Sequence, residues 1–200
     1  MILCASIRYL CDVGVRLAEI DDSDTLGRSL ASAYEANPLV RWMLSEDLSM
    51  NRLVGLFTSL VSLGVRDGVV YCSEGGDGAS IWFPPTGSDR EEVDVTRSTS
   101  DWTSSRRGAA LGVLAAARPA VPHYYLDAVG VVPGRRRRGV ASALLAPVLG
   151  GCDRDRVPAY LENSDPANAA FYGALGFVEV ERLRMPEGAP VIVGMWREPR

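Results

Sequence analysis

The chain has 200 residues, a formal net charge of −4, 47% hydrophobic side chains and a single histidine. That length and composition suit one compact domain with a sizeable core. The acidic balance argues against a polyanionic partner for the chain as a whole. One histidine and four cysteines without C-x-x-C spacing exclude a credible metal cluster.

Residues 1–14 are apolar and interrupted by Arg8. They are too short to span a membrane and lack the basic start and cleavage site of a signal peptide. They are expected to form an extension ahead of a domain over residues 15–200. Without a secretion signal, Cys4, Cys11, Cys72 and Cys152 are expected to stay reduced in a cytoplasmic protein.

Residues 15–20 read as a strand, and the Asp21–Asp24 region supplies helix caps. A helix over 25–35 turns Leu26, Leu30, Ala33 and Tyr34 to one side before Asn37 and Pro38 break it. A short helical piece over 38–45 carries Trp42. A longer helix over 47–63, with Leu53, Leu56, Phe57, Leu60 and Val61 inward, should end at Gly64. Strands over 68–73 and 79–83 flank a glycine-rich turn and form a hairpin. Residues 86–99 read as loop, and 101–118 as an alanine-rich helix. Residues 33–63 and 84–102 are the stretches expected to shape an acceptor pocket.

The run from Tyr124 to Val132 is rich in β-branched and aromatic residues and reads as the central strand. Pro133 and Gly134 stop it. Four arginines follow, and Val140, Leu144 and Val148 then recur at helical spacing. A helix therefore starts near Arg138 or Gly139, and Pro147 should kink or shorten it. The first turn of such a helix offers unpaired N–H groups and the positive end of a dipole, and Gly139 and Ala141 let a ligand approach. A solvated arginine run, a nucleic-acid contact and a pyrophosphate site all fit this turn. A P-loop and a Rossmann turn do not, because the Lys-Ser/Thr pair and the G-x-G-x-x-G spacing are missing. A strand over 157–163 and a short helix over 166–175 come next. Asp165 caps that helix, Gly176 stops it, Asn168 and Tyr172 share one face, and Phe171 and Leu175 point inward. Residues 177–184 and 191–197 close the chain as an antiparallel pair.

The spacing Arg136-x-x-Gly139-x-Ala141 resembles the acyl-CoA signature of the GNAT superfamily of N-acetyltransferases. Asn168, Phe171-Tyr172 and Gly176-Phe177 resemble that superfamily's second motif, and together the two cover about 122–200. Within the superfamily the likeness extends to puromycin N-acetyltransferase and its relatives, through Leu161-Glu162 and the tail from Val180 to Met195. Arg137 stands where the pattern frequently has glycine.

The resemblance implies an α/β (α+β) fold: a single-domain, mixed, mostly antiparallel sheet flanked by helices, with parting central strands. It implies acetyl-CoA as cosubstrate, no metal and no nucleic-acid or membrane partner. The acceptor would be a small-molecule primary amine, of the puromycin type in the narrowest reading. A non-catalytic acyl-CoA-binding regulatory domain and a protein N-acetyltransferase are the alternatives. Many members dimerise, so a homodimer is compatible with it.

Carried over residue by residue, the backbone of Val129, Gly130 and Val131 would face the pantetheine arm and acetyl oxygen. Arg136, Arg137, Arg138, Gly139, Val140, Ala141 and Ser142 would hold the pyrophosphate. Asn168 would steady the pantetheine or a water, and Tyr172 would protonate the departing thiolate. Glu162, or else Asp127, would take the amine's proton. His123 reads as structural.

Overall fold

The computed structural model describes residues 13–44, 49–85 and 106–200. Cys4, Cys11, the loop expected over 86–99 and the expected helix starts at Asp47 and Asp101 lie outside these residues. Seven strands form one sheet in the order β1-β2-β3-β4-β5-β7-β6. They are β1 (Val15–Leu17), β2 (Val69–Ser73), β3 (Gly78–Phe83), β4 (Tyr124–Val131), β5 (Ala159–Asn163), β6 (Val178–Leu183) and β7 (Ile192–Arg197). Among the described residues six α-helices accompany them: α1 (Ser23–Tyr34), α2 (Pro38–Met43), α3 (Met50–Asp67), α4 (Arg106–Ala117), α5 (Val140–Asp155) and α6 (Ala169–Ala174). This is the mixed, mostly antiparallel sheet with flanking helices that was expected. Packing groups the residues into two units, each assembled from several stretches of chain.

The first unit takes the described residues up to Glu35, then 49–83 and 126–151. β1 pairs antiparallel with β2, and β2 with β3 from Val69 opposite Trp82 to Cys72 opposite Ala79. Gly76 turns this hairpin with a φ of +68°. Leu26, Leu30, Leu53, Phe57, Val61, Ile81, Trp82 and Leu144 are buried in this unit. The helix expected to stop at Gly64 runs on to Asp67. A Cβ at Gly64 would stand 2.7 Å from the Ile81 side chain and 2.8 Å from that of Val70. The glycine is a contact surface for the hairpin rather than a terminator. Gly27 serves α1 in the same way, because a Cβ there would stand 2.8 Å from the Thr58 backbone nitrogen.

Strand β1 is shorter than the 15–20 predicted, because residues from Ile20 coil into a 3-10 turn. Pro147 lies within α5 without shortening it, since the helix runs 16 residues through it. Asp22 precedes α1 but does not cap it through its side chain. Its carboxylate accepts from the Glu19 N–H at 2.8 Å and from both Arg16 terminal nitrogens at 2.7 Å.

The second unit takes 36–44, the described part of 84–125, and 152–200. β7 lies between β5 and β6 and pairs antiparallel with both. Leu39, Leu183 and Ile192 form its core with Trp42, Val113, Leu114 and Met185 against them. Asn37 caps α2 as its sequence suggests, accepting from the Leu39 and Val40 N–H groups at 3.0 and 3.1 Å. The Arg197 guanidinium, only 4% exposed, holds the Asp153 carboxylate through two 2.8 Å bonds and donates to the Leu175 carbonyl at 2.9 Å.

Candidate functional site

The basic turn belongs to the first unit. β4 ends at Val131, a 3-10 turn spans Pro133–Arg135, and α5 begins at Val140. Arg137 and Gly139 adopt φ angles of +58° and +80°. The preference for glycine at position 137 therefore has a backbone origin, because a side chain is strained in that region. Gly139 faces open space, with no heavy atom within 4 Å of where a Cβ would be. The N–H groups of Val140, Ala141 and Ser142 lie in the first turn, where no carbonyl of the helix can accept from them. The Val140 side chain is buried with Val131 and Leu144, so only its backbone is available to a ligand.

The four arginines divide by partner. Arg135 pairs with Asp77 at 3.1 Å. Arg136 folds back on the protein, donating to the Ala33 carbonyl at 2.8 Å and the Val131 carbonyl at 3.2 Å. Ala33 is in the last turn of α1, where carbonyls lack helix partners and a cation is favoured. The Arg136 side chain thus ties α1 to β4. Arg137 and Arg138 are exposed, and neither forms an ion pair among the described residues.

On β4, Gly130 fits closely under α1. A Cβ there would stand 2.8 Å from Leu30 and 2.9 Å from Ala33. The Val129 N–H donates to the Tyr34 hydroxyl at 3.2 Å. Burial pushes the Tyr34 phenol up to about 12, with the nearby Asp127 charge acting in the same direction. Its ring packs on Phe57 at 4.9 Å. Sequence reading assigned Tyr34 to an apolar helix face and missed this bond. Nothing local marks a tyrosine whose hydroxyl ends beside a strand 95 residues away.

The remaining candidates sit in the second unit. Glu162 on β5 is half-buried, and the Tyr125 hydroxyl donates to its Oε2 at 2.7 Å. The Arg118 guanidinium lies 3.9 Å over the Tyr125 ring. Neither Tyr125 nor Arg118 was singled out from sequence, because both read as strand and helix-end residues. His123 donates from Nδ1 to the Val121 carbonyl at 2.6 Å and packs edge-on against Tyr160 at 5.6 Å. Burial holds its pKa below the ordinary histidine range.

Asp165 accepts from the Ala167 N–H at 3.0 Å, and Gly176 ends the following helix with a φ of +97°. The segment starts as a 3-10 turn over Pro166–Asn168 before α6. Tyr172 is its buried residue, 9% exposed, with its ring between Phe171 at 5.3 Å and Phe177 at 6.1 Å. Asn168 is exposed, and Phe171 and Leu175 are only half-buried. The inward face is therefore centred on Tyr172, a correction to the pattern expected for Phe171 and Leu175. The 3-10 turn ends at Asn168, which stands at the N-cap of α6. Asn37 donates from Nδ2 to the Ser164 hydroxyl at 3.0 Å, fixing the approach to this segment.

Among the described residues no group of three or more His, Cys, Asp or Glu side chains could hold a metal ion, and no helix is long and apolar enough to cross a membrane. Residues 82–177 match the sequence model of the acetyltransferase (GNAT) family. The fold is similar to a histone acetyltransferase HPA2 and related acetyltransferase from Corynebacterium glutamicum, at 21% identity and a TM-score of 0.69, covering 94% of this chain and 97% of that one. A Drosophila melanogaster polyamine N-acetyltransferase matches at 16% identity and a TM-score of 0.66, covering 94% and 100%. Arylalkylamine N-acetyltransferase 2 from Aedes aegypti matches at 11% identity and a TM-score of 0.68, also covering 94% and 100%.

Proposed function

We propose that this protein, whose residues 82–177 match the acetyltransferase (GNAT) family model, transfers the acetyl group of acetyl-CoA to the nitrogen of a small-molecule primary amine. The domain is taken as residues 15–200. The observation that carries the reading is the turn from Val131 to Val140. Two residues with positive φ, a glycine facing open space and a helix N-terminus are joined there by two arginines that form no ion pair among the described residues. These features fit a pyrophosphate: backbone donors and a dipole for its oxygens, and guanidinium groups for its charge. The backbone of Arg136 to Ser142 and the side chains of Arg137 and Arg138 hold it in this reading. Arg136 contributes through the turn it braces.

The amine must be neutral to attack. Glu162 takes its proton, directly or through water, and the amine nitrogen bonds to the acetyl carbon. The carbon–sulfur bond then breaks, and Tyr172 protonates the departing thiolate. Val129, Gly130 and Val131 supply N–H groups to the cofactor and the developing oxyanion, where one donor is worth about 3 kcal/mol. Asn168 steadies the pantetheine or a water. Proton transfer by a placed side chain contributes roughly 10²–10⁴-fold.

The polyamine and arylalkylamine enzymes of similar fold support an amine acceptor in general. An acceptor of the puromycin type is the narrower reading. It is favoured by the Leu161-Glu162 pair and the tail through Met195.

A thermal melt with acetyl-CoA at about 100 times its Kd should gain roughly 2.7 kcal/mol, a rise of about 5–10 °C. Amines, puromycin among them, are then screened for CoA release. A melt that acetyl-CoA does not move would sink the cofactor reading. Binding without CoA release from any amine would leave the regulatory alternative. Acetylation confined to protein substrates would replace the small-molecule acceptor.

A further inference from the structure

Glu162 on β5, Gly194 on β7 and Glu181 on β6 form one row across three strands, because Gly194 is the cross-strand partner of both glutamates. Partners in register project to the same face of a sheet. That face also carries Leu183 and Ile192, which pack with Trp42, Val113 and Leu114 of α2 and α4. Strands lie about 4.8 Å apart, so the two carboxylates are rooted about 10 Å from each other. Gly194 contributes no side chain between them. The Tyr160 hydroxyl lies there instead, its oxygen 2.7 Å from where a Gly194 Cβ would be.

Two observations mark this row as incomplete. Tyr160 is 1% exposed, yet its hydroxyl has no hydrogen-bond partner among the described residues. A buried hydroxyl without a partner is destabilising, and a ligand atom that bonds to it offsets that cost. The second is Glu181, at the opposite end of the row from the Tyr125 hydroxyl that holds Glu162. Glu181 forms no ion pair among the described residues. Arg182, its neighbour, is bound to Glu179 at 2.7 Å. Burial first, and then the Glu162 and Glu181 charges, push the Tyr160 phenol above the ordinary tyrosine range.

We propose that this row is a subsite for a second positive charge on the acceptor, held by Glu181 and the Tyr160 hydroxyl over Gly194. The acceptor class is a diamine, or an amine with another fixed cation, with about four to six methylenes between the two nitrogens to match the strand spacing. One nitrogen loses its proton to Glu162 and is acetylated. The other stays charged and faces the Glu181 carboxylate. The assignment rests on the proposed role of Glu162 in amine acetylation.

The test compares 1,5-diaminopentane with 1-aminopentane on the full chain, by kcat/KM for CoA release and by calorimetric binding of each amine alone. The wild type should favour the diamine about tenfold in both, the size of one charge-assisted bond at a partly exposed site. Glu181→Gln should bring the ratio close to one, Glu181→Asp should restore part of it, and Tyr160→Phe should reduce it. A ratio measured on one preparation is insensitive to the fraction folded. A wild type without preference, or a preference that survives Glu181→Gln, overturns the subsite. A Glu181-dependent preference in binding, with no CoA released by any amine, keeps the subsite and refutes acetyl transfer instead.

Discussion

Arg137 carries two opposed demands. Its φ of +58° strains a side chain, while its charge serves the proposed phosphate site. Arg137→Gly should raise stability in a urea titration by roughly 0.5–1 kcal/mol, since relief of strain exceeds the entropic cost of glycine. The same change should weaken acetyl-CoA binding. Gains in both stability and affinity would remove Arg137 from the phosphate contacts. Tyr34 poses a related test. Its hydroxyl already accepts the Val129 N–H that the proposed chemistry assigns to the cofactor. Tyr34→Phe should free that donor and tighten acetyl-CoA roughly threefold to tenfold, the scale of one net hydrogen bond. An unchanged Kd would mean that Val129 does not serve the cofactor. Val129 was legible as a candidate from sequence, but its competitor was not, because the competing group arrives from another element.

Among the elements, glycines decide how closely neighbours approach. Gly27 in α1 meets Thr58 in α3 at backbone distance. Gly27→Ala should therefore cost about 1–3 kcal/mol by overpacking, despite alanine's better helix propensity. Gly55 on the same partner helix has no atom within 4 Å of its Cβ position. Gly55→Ala should accordingly stabilise, and chemical denaturation of the pair separates packing from propensity. The same logic explains the misplaced end of α3. A glycine near a helix end is a stop signal in sequence, but Gly64 is a place where Ile81 and Val70 press in. Sequence periodicity located nearly every element and left such boundaries to packing.

At the scale of the molecule, the Asp153–Arg197 pair links the last turn of α5 to β7, with the Arg200 N–H adding a third bond to the carboxylate at 2.8 Å. These partners, the Arg197 guanidinium first, hold the Asp153 carboxyl at about 2, below the 3.8 of a free aspartate. A depressed folded-state pKa gives stability that is present above the unfolded value and lost as pH falls through the folded one. The Tm difference between wild type and Asp153→Asn should thus be constant above about pH 5 and shrink between about pH 4 and pH 2. A gap unchanged across that window would show that the pair's contribution is not ionic. At neutral pH the substitution leaves a buried guanidinium unpaired and should cost about 3 kcal/mol.

The succession of strands and helices, the basic strand–turn–helix junction and the Asp165-to-Gly176 punctuation are all legible in the linear chain. These are local properties: side-chain periodicity, backbone preference and capping act over a few residues, so a linear reading contains them. Folding alone set which arginine lacks an ion pair among the described residues and which is a strut. It also decided that Tyr125 holds Glu162, that Tyr34 covers Val129, and that two glutamates 19 positions apart share one glycine as cross-strand partner. Each of these depends on distant stretches meeting in one register, which backbone pairing and packing set together and no single stretch encodes.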